Sequence, residues 1–120
     1  MKINFFYREP EFPVLIIKEN EVFGATSLKN LSKIIEKNDF SQQEYYYLID
    51  CTNEGWAFYP EHNLVTPLVY KKNWFKKEIV QLFNNSNAIK ERNVAPLKDN
   101  IYNKTFTQIV EIIVDRLTNS

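Results

Sequence analysis

The chain has 120 residues, of which 44% are hydrophobic and 15% aromatic, and this composition predicts one domain over residues 1–120 with an aromatic-rich core. Fifteen basic and fifteen acidic side chains give a net charge of zero, which argues against a protein that binds nucleic acid through an overall positive charge. No apolar run reaches the roughly 18 residues of a membrane helix, no signal peptide is recognisable, and the single cysteine cannot form an internal disulfide, so we expect a cytoplasmic protein.

The first third of the chain predicts short strands followed by a helix. "INFFYREPEFPVLIIKENEVFGATS" contains two or three strands, because β-branched and apolar runs are bounded by prolines, and Pro13 is expected on an edge strand. A helix is then expected with Ser27 as its N-cap and Asn38 at its end. Its apolar residues recur at helical spacing, at Leu28, Leu31, Ile34 and Ile35.

Two aromatic-rich runs, "YYYLID" and "GWAFYP", flank the segment "CTNE" at residues 51–54. This pattern predicts a β-hairpin, in which Asn53 and Gly55 build the turn and Gly55 supplies a positive φ angle. The stretch from residue 49 to residue 62 is therefore interpreted first as a hairpin, although it also holds most of the reactive side chains of the chain.

Two further helices are expected in the second half of the chain. "NWFKKEIVQLFNNS" begins at Asn73 as its cap and repeats apolar residues at helical spacing, with Phe75 on the apolar stripe. Residues 84–104 predict a long loop that can carry one irregular turn. Thr105 and Gln108 form a capping box before a terminal helix. The order of elements predicts an α+β fold, a small antiparallel sheet with about three helices packed on it.

Candidate catalytic groups lie in and beside the predicted hairpin. Asp50 and Glu54 can act as an acid–base pair if they converge across the turn, or they are ordinary turn residues, which we favour. Cys51 and His62 can form a nucleophile and base, but a lone cysteine beside a strand is more often a small buried hydrophobe. One cysteine and one histidine are too few for a zinc site, and two glycines exclude phosphate and dinucleotide loops. We therefore predict no enzyme, metal or cofactor.

Basic and aromatic side chains alternate in "VYKKNWFKKE", where lysines stand at a predicted helix start. A solvated basic rim is the favoured interpretation, ahead of a protein-binding surface and of single-strand nucleic acid binding. Trp74 is either a partly exposed interface anchor or folds back on "LVTPLVY" as a hydrophobic staple, and we slightly favour the second. The lysines of this segment are Lys71, Lys72, Lys76 and Lys77.

The block from residue 49 to residue 84 resembles small bacterial proteins of toxin-immunity type, associated with contact-dependent or Rhs toxins. The resemblance is carried by Asp50, by Glu54-Gly55-Trp56, by Pro67-Leu68 and by the Lys-Lys-x-Trp-x-Lys-Lys-Glu-Ile run from Lys71 to Ile79. It implies a non-enzymatic protein that neutralises a cognate toxin domain. Such proteins are usually more acidic than this chain.

The leading hypothesis is therefore a cytoplasmic, protein-binding domain without nucleic-acid or membrane partners, most consistent with an immunity protein. Residues 1–60 carry six basic and nine acidic side chains, net −3, and residues 61–120 carry nine and six, net +3, so opposed charged faces are expected. A small hydrolase or nuclease using Asp50, Glu54 and His62 is one alternative, and a homo-oligomeric structural module is another. The predicted partner-binding residues are Asp50, Glu54, Trp56, Lys71, Lys72 and Trp74.

Overall fold

The computed structural model describes residues 1–70 and 73–119, so Lys71 and Lys72 lie outside the described residues. Within these ranges the chain forms the predicted α+β domain, with a six-stranded, mostly antiparallel sheet. The strands are β1 (Asn4–Phe5), β2 (Val14–Lys18), β3 (Glu21–Ala25), β4 (Tyr46–Asp50), β5 (Gly55–Tyr59) and β6 (Leu64–Pro67). The helices are α1 (Leu28–Lys37), α2 (Lys76–Asn84), the single turn α3 (Asn87–Lys90) and α4 (Phe106–Thr118), with a 3-10 helix at Asp99–Asn103.

The strands lie in the order β1-β6-β5-β4-β2-β3. All neighbours pair antiparallel except β1, which pairs parallel with β6 through Asn4 opposite Leu64. The prediction that Pro13 lies on an edge strand is wrong, because β2 is flanked by β3 and β4. Pro13 immediately precedes β2, where its missing N–H removes no bond from the ladder.

Helices cover both faces of the sheet. Successive side chains of a strand point to opposite faces and so enter two separate hydrophobic cores. Val14 and Ile16 of β2 enter the core beneath α1, together with Trp56 of β5. Leu15 of β2 and Ile49 of β4 enter the opposite core, beneath α2 and α4. The described residues contain no helix with the length and apolar character needed to cross a membrane.

Helices α1 and α4 form as their local sequence signals predict. The Ser27 hydroxyl accepts a hydrogen bond from the Asn30 N–H at 3.1 Å, and α1 ends before Asn38. At α4, the Thr105 hydroxyl accepts from the Gln108 N–H while the Gln108 side chain accepts from the Thr105 N–H, which completes the capping box. These bonds satisfy main-chain N–H groups that a helix start otherwise leaves unpaired.

Three features differ from the predictions. β6 was not predicted, and the loop of residues 84–104 contains both α3 and the 3-10 helix. Helix α2 begins at Lys76 and is capped at Phe75, so the predicted start at Asn73 is wrong. Residues 73–75 are instead not helical, and Asn73 makes an isolated β-bridge with Glu54. The segment before α2 is thereby fixed to the β4–β5 turn.

Gly24 of β3 packs closely against Val114 of α4. A Cβ atom at this position would lie 2.9 Å from Val114 Cγ2 and 3.0 Å from Val114 Cα. The Val114 Cα atom cannot move without shifting α4, so we expect Gly24→Ala to destabilise the domain by about 1–3 kcal/mol. Urea denaturation monitored by tryptophan fluorescence measures this loss. Adding Val114→Ala should restore part of it by removing the side-chain clash, and an unchanged midpoint for Gly24→Ala alone would contradict the close approach.

Candidate functional site

Asp50, the first carboxylate of the predicted hairpin, is a buried structural group, with 1% of its surface exposed. Its Oδ1 accepts hydrogen bonds from the Thr52 N–H, the Thr52 hydroxyl and the Glu54 N–H at 2.9, 2.6 and 3.1 Å. Its Oδ2 accepts from the Trp56 Nε1–H at 3.0 Å and from the Glu11 N–H at 3.4 Å. The side chain therefore fixes the β4–β5 turn, joins it to the segment before β2 and leaves no surface for a substrate.

The hairpin itself is confirmed, but the role given to Gly55 is wrong. Asn53 takes the left-handed conformation, with φ 76°, and no glycine among the described residues has a positive φ. Asparagine adopts this conformation more readily than most residues, so the turn does not need a glycine there. Gly55 is instead the first residue of β5 and pairs with Ile49.

Glu54 forms an ion pair that holds the start of the chain against the hairpin. Arg8 donates from Nη1 to Glu54 Oε1 at 2.6 Å and from Nη2 to Oε2, a two-pronged arrangement. The guanidinium also lies 5.0 Å from the centre of the Trp56 ring, in a cation–π position. The hydrogen bond that Arg8 donates to Glu54 raises the pKa of Arg8. Glu54 is thus engaged in positioning residues 6–8 and is not poised as an acid or base.

Cys51 shows none of the features of an activated nucleophile. It is buried, and its thiol lies 3.5 Å from the Phe12 carbonyl oxygen. Burial and the nearby Asp50 carboxylate raise the pKa of the thiol, which disfavours the reactive thiolate. Its own carbonyl accepts a hydrogen bond from the Thr107 hydroxyl at 2.7 Å and so attaches α4 to the hairpin. The interpretation of Cys51 as a small buried residue is therefore supported.

His62 lies at the far end of β5 from Asp50, Cys51 and Glu54. It is exposed in the turn between β5 and β6. The five residues of β5, each with a rise of about 3.3 Å along the strand, separate His62 from Glu54 by more than about 13 Å. A general acid or base must lie within hydrogen-bond distance of the group with which it exchanges a proton. Asp50, Glu54 and His62, the residues of the hydrolase hypothesis, therefore do not form one site. No group of three potential metal ligands is found within residues 1–70 and 73–119.

Trp74 is buried, with 8% of its surface exposed. Its main-chain N–H donates to the Asn53 carbonyl at 2.7 Å, and its ring lies 5.8 Å from that of Tyr47. It precedes the N-cap of α2 and shares a core with Ile79, the position of a hydrophobic staple. The prediction that Trp74 folds back as a hydrophobic staple is therefore supported. Its packing partner lies within α2, however, and not in the predicted segment "LVTPLVY".

Three of the six predicted partner-binding residues are consequently not at the surface. Asp50, Trp56 and Trp74 are 1%, 0% and 8% exposed, whereas the Glu54 side chain is 23% exposed and paired. Lys71 and Lys72 lie outside the described residues. At the start of α2, the Lys76 ammonium donates to the Tyr102 carbonyl at 3.4 Å, and Glu78 supplies negative charge in the first turn.

Exposed hydrophobic side chains are concentrated beside the β4–β5 turn. In the described part of the chain, five large hydrophobic residues are more than half exposed, and we call this set the aromatic end. Its members are Phe6 (51%), Tyr7 (86%), Val69 (72%), Tyr70 (98%) and Phe75 (68%).

Hydrogen bonds bring the five residues together from three parts of the chain. Arg8 ties the first segment to Glu54, and the Leu68 N–H donates to the Gly55 carbonyl at 3.1 Å. Phe75 follows Trp74, whose N–H is bonded to Asn53 in the same turn. The aromatic end is therefore a surface assembled around the turn that Asp50 fixes.

Sequence reasoning missed this surface, although a signal for part of it was present. A helical pattern continued back to Asn73 predicts that Phe75 lies on the buried side of the helix. In the extended segment that precedes α2, successive side chains point to opposite sides, so burial of Trp74 turns Phe75 outward. Phe6 and Tyr7 lie where "FFYR" continues past the two residues of β1, a boundary that the sequence does not mark.

Comparison of the chain with protein-family models, with curated proteins and with solved structures found no match.

Proposed function

We propose that the chain is a non-enzymatic protein-binding domain that docks its partner through the aromatic end. The observation that carries this proposal is that all five large hydrophobic residues exposed by more than half, among those described, lie in three segments that are hydrogen-bonded to one turn. Apolar side chains grouped in this way at a surface mark interaction sites, and tyrosine is enriched among the residues that dominate binding energy. Isolated exposed hydrophobic residues would carry no such meaning.

Charged groups beside the aromatic end suit a protein interface. Arg8 and Glu54 are already paired with each other, so their charges contribute little uncompensated field at the centre of the surface. Lys77 in the first turn of α2 adds a charge at the margin. An apolar centre with charges at its edge binds through the buried aromatic groups, while the marginal charges steer the encounter.

The partner that we propose is a cognate toxin domain, which makes the chain a cytoplasmic immunity protein. The resemblance of residues 49–84 to toxin-immunity proteins supports this choice, because the same block contributes Val69, Tyr70 and Phe75 to the aromatic end. The absence of enzymatic activity is supported by the engagement of Asp50 and Glu54 in structural bonds and by the burial of Cys51. Binding would cover the functional surface of the toxin.

The test is binding to the product of the neighbouring gene, where a cognate toxin is sought first. We expect a stoichiometric complex and protection of cells that express the toxin. The double variant Tyr70→Ala, Phe75→Ala should weaken the complex by at least about 100-fold, because interface aromatics often contribute about 2 kcal/mol each and about 1.4 kcal/mol corresponds to tenfold. Isothermal titration calorimetry measures the affinity.

Tyr102→Ala is the matched control, because Tyr102 is an exposed tyrosine, 39% accessible, on the 3-10 helix and outside the aromatic end. Its affinity should equal that of the unaltered protein. Equal affinity of the double variant would remove the aromatic end from the interface. If no complex forms and sedimentation instead shows a dimer that the double variant abolishes, the aromatic end serves self-association, as the homo-oligomer hypothesis predicts.

A further inference from the structure

A second surface lies at the opposite end of β4, on the face of the sheet that carries α2 and α4. Here a cavity of about 370 Å³ opens between the end of β2 and the start of β4. Tyr45 and Tyr47 form one wall, with ring centres 5.6 Å apart, and Tyr59 of β5 stacks beside Tyr45, also at 5.6 Å. Tyr45 and Tyr47 therefore present aromatic surface to the cavity, and Tyr59 supports the Tyr45 ring from beside it.

The charged groups that line this cavity are both negative. Glu19 and Glu44 stand at its margin, and the remaining lining residues are Ile17 and Gln43. Both carboxylates are exposed, and no lysine or arginine of the described residues lines the cavity. Lys18 follows Ile17 on β2, so its side chain is directed to the other face of the sheet. The cavity thus joins aromatic rings to uncompensated negative charge.

We propose that this cavity, the tyrosine cavity, binds an arginine side chain presented by an extended segment of a protein partner. A guanidinium group stacks on tyrosine rings through cation–π attraction, and its planar N–H groups donate hydrogen bonds to carboxylates. One arginine side chain can therefore contact the tyrosine rings and the glutamates at the same time. Lysine has the same charge but neither the planar stacking surface nor the fork. The site is separate from the aromatic end, and the proposal goes beyond the function proposed above.

A neighbouring cavity favours a segment of chain over a free small cation. It has a volume of about 360 Å³ and shares Glu19 with the tyrosine cavity. Its lining residues include Asn20, Gln81 and Asn85, whose side-chain amides can donate to and accept from the main chain of a bound segment. A segment that places its arginine against Tyr45 and Tyr47 can therefore continue past Glu19 towards α2.

The test uses the peptide acetyl-Gly-Arg-Gly-Arg-Gly-amide and its counterpart with citrulline, an uncharged isostere of arginine. We expect the arginine peptide to produce saturable NMR shifts in the amide signals of residues 43–47, and the citrulline peptide to produce none. In the double variant Glu19→Gln, Glu44→Gln the dissociation constant should rise about tenfold or more. Both side chains are exposed, so the variant should retain its fold.

Glu111→Gln is the matched control, because it removes one carboxylate from an exposed position on α4, away from the cavity. Its affinity for the arginine peptide should be unchanged. Equal binding of the citrulline peptide, or undiminished binding by the double variant, would overturn the proposal. Guanidinium chloride that produces the same shifts at the same concentration would also overturn it, because the cavity would then select a small cation and no segment.

Discussion

Asp50→Ala is expected to lower the free energy of unfolding by about 3–5 kcal/mol, because it leaves buried donors without an acceptor. The Asp50 carboxylate accepts five hydrogen bonds, and the Trp56 Nε1–H among the donors belongs to a side chain with 0% exposure. Water cannot replace the lost acceptor at a ring that is wholly covered. The main-chain N–H groups of Thr52 and Glu54 also lose their partner, so the turn should loosen.

Urea denaturation followed by tryptophan fluorescence measures this effect, with Asp50→Asn as the conservative variant. Asparagine keeps the shape and one acceptor oxygen but brings an NH2 group towards donors on the other side. We therefore expect an intermediate loss of stability. Trp56→Phe removes one donor, so in a double-mutant cycle the cost of Asp50→Asn should be smaller in the Trp56→Phe background.

The same measurement separates the structural role of Asp50 from a catalytic one. A carboxylate that is held in place for catalysis commonly lowers stability, so its removal leaves the protein unchanged or more stable. Equal or greater stability of Asp50→Asn would therefore contradict the role that its five hydrogen bonds indicate. It would return Asp50 to the list of functional candidates.

The starts of α1 and α4 and the β4–β5 hairpin could be predicted because short stretches of sequence determine them. Ser27 and the Thr105–Gln108 capping box mark helix starts because the bonds they make lie within three residues of the cap. The aromatic runs on either side of residues 51–54 indicate the β4–β5 hairpin because the two paired strands follow each other directly in the sequence. The α+β class then follows from the order of these elements.

The missed features depend on contacts between distant residues. β6 has only four residues, ends at a proline, and is held by pairing with β5 and with β1, about sixty positions away in sequence. The aromatic end could not be predicted because it needs three segments brought to one turn by Asp50, Glu54 and Asn53. Of the predicted binding residues, Asp50, Trp56 and Trp74 are buried beneath the aromatic end, the surface that we propose for binding.

Trp74 and Phe75 provide a direct test of which aromatic residue faces the partner. Trp74 is 8% exposed and belongs to the core beneath α2, with its ring against that of Tyr47, whereas Phe75 is 68% exposed. We expect Trp74→Ala to destabilise the domain by about 3–5 kcal/mol, because truncating a buried tryptophan leaves a cavity. Phe75→Ala should change stability by less than about 0.5 kcal/mol, as is usual for exposed side chains.

Denaturation midpoints and partner affinities, measured on the same two variants, should give opposite orders. Trp74→Ala should lose stability, and below its unfolding transition it should still bind, because the ring lies behind the surface. Phe75→Ala should remain stable and bind the partner weakly. A stable Trp74→Ala variant with impaired binding would mean that Trp74, and not Phe75, is the aromatic group at the interface. Because the two residues are adjacent, this pair of substitutions tests the orientation of the segment before α2 without altering any other part of the chain.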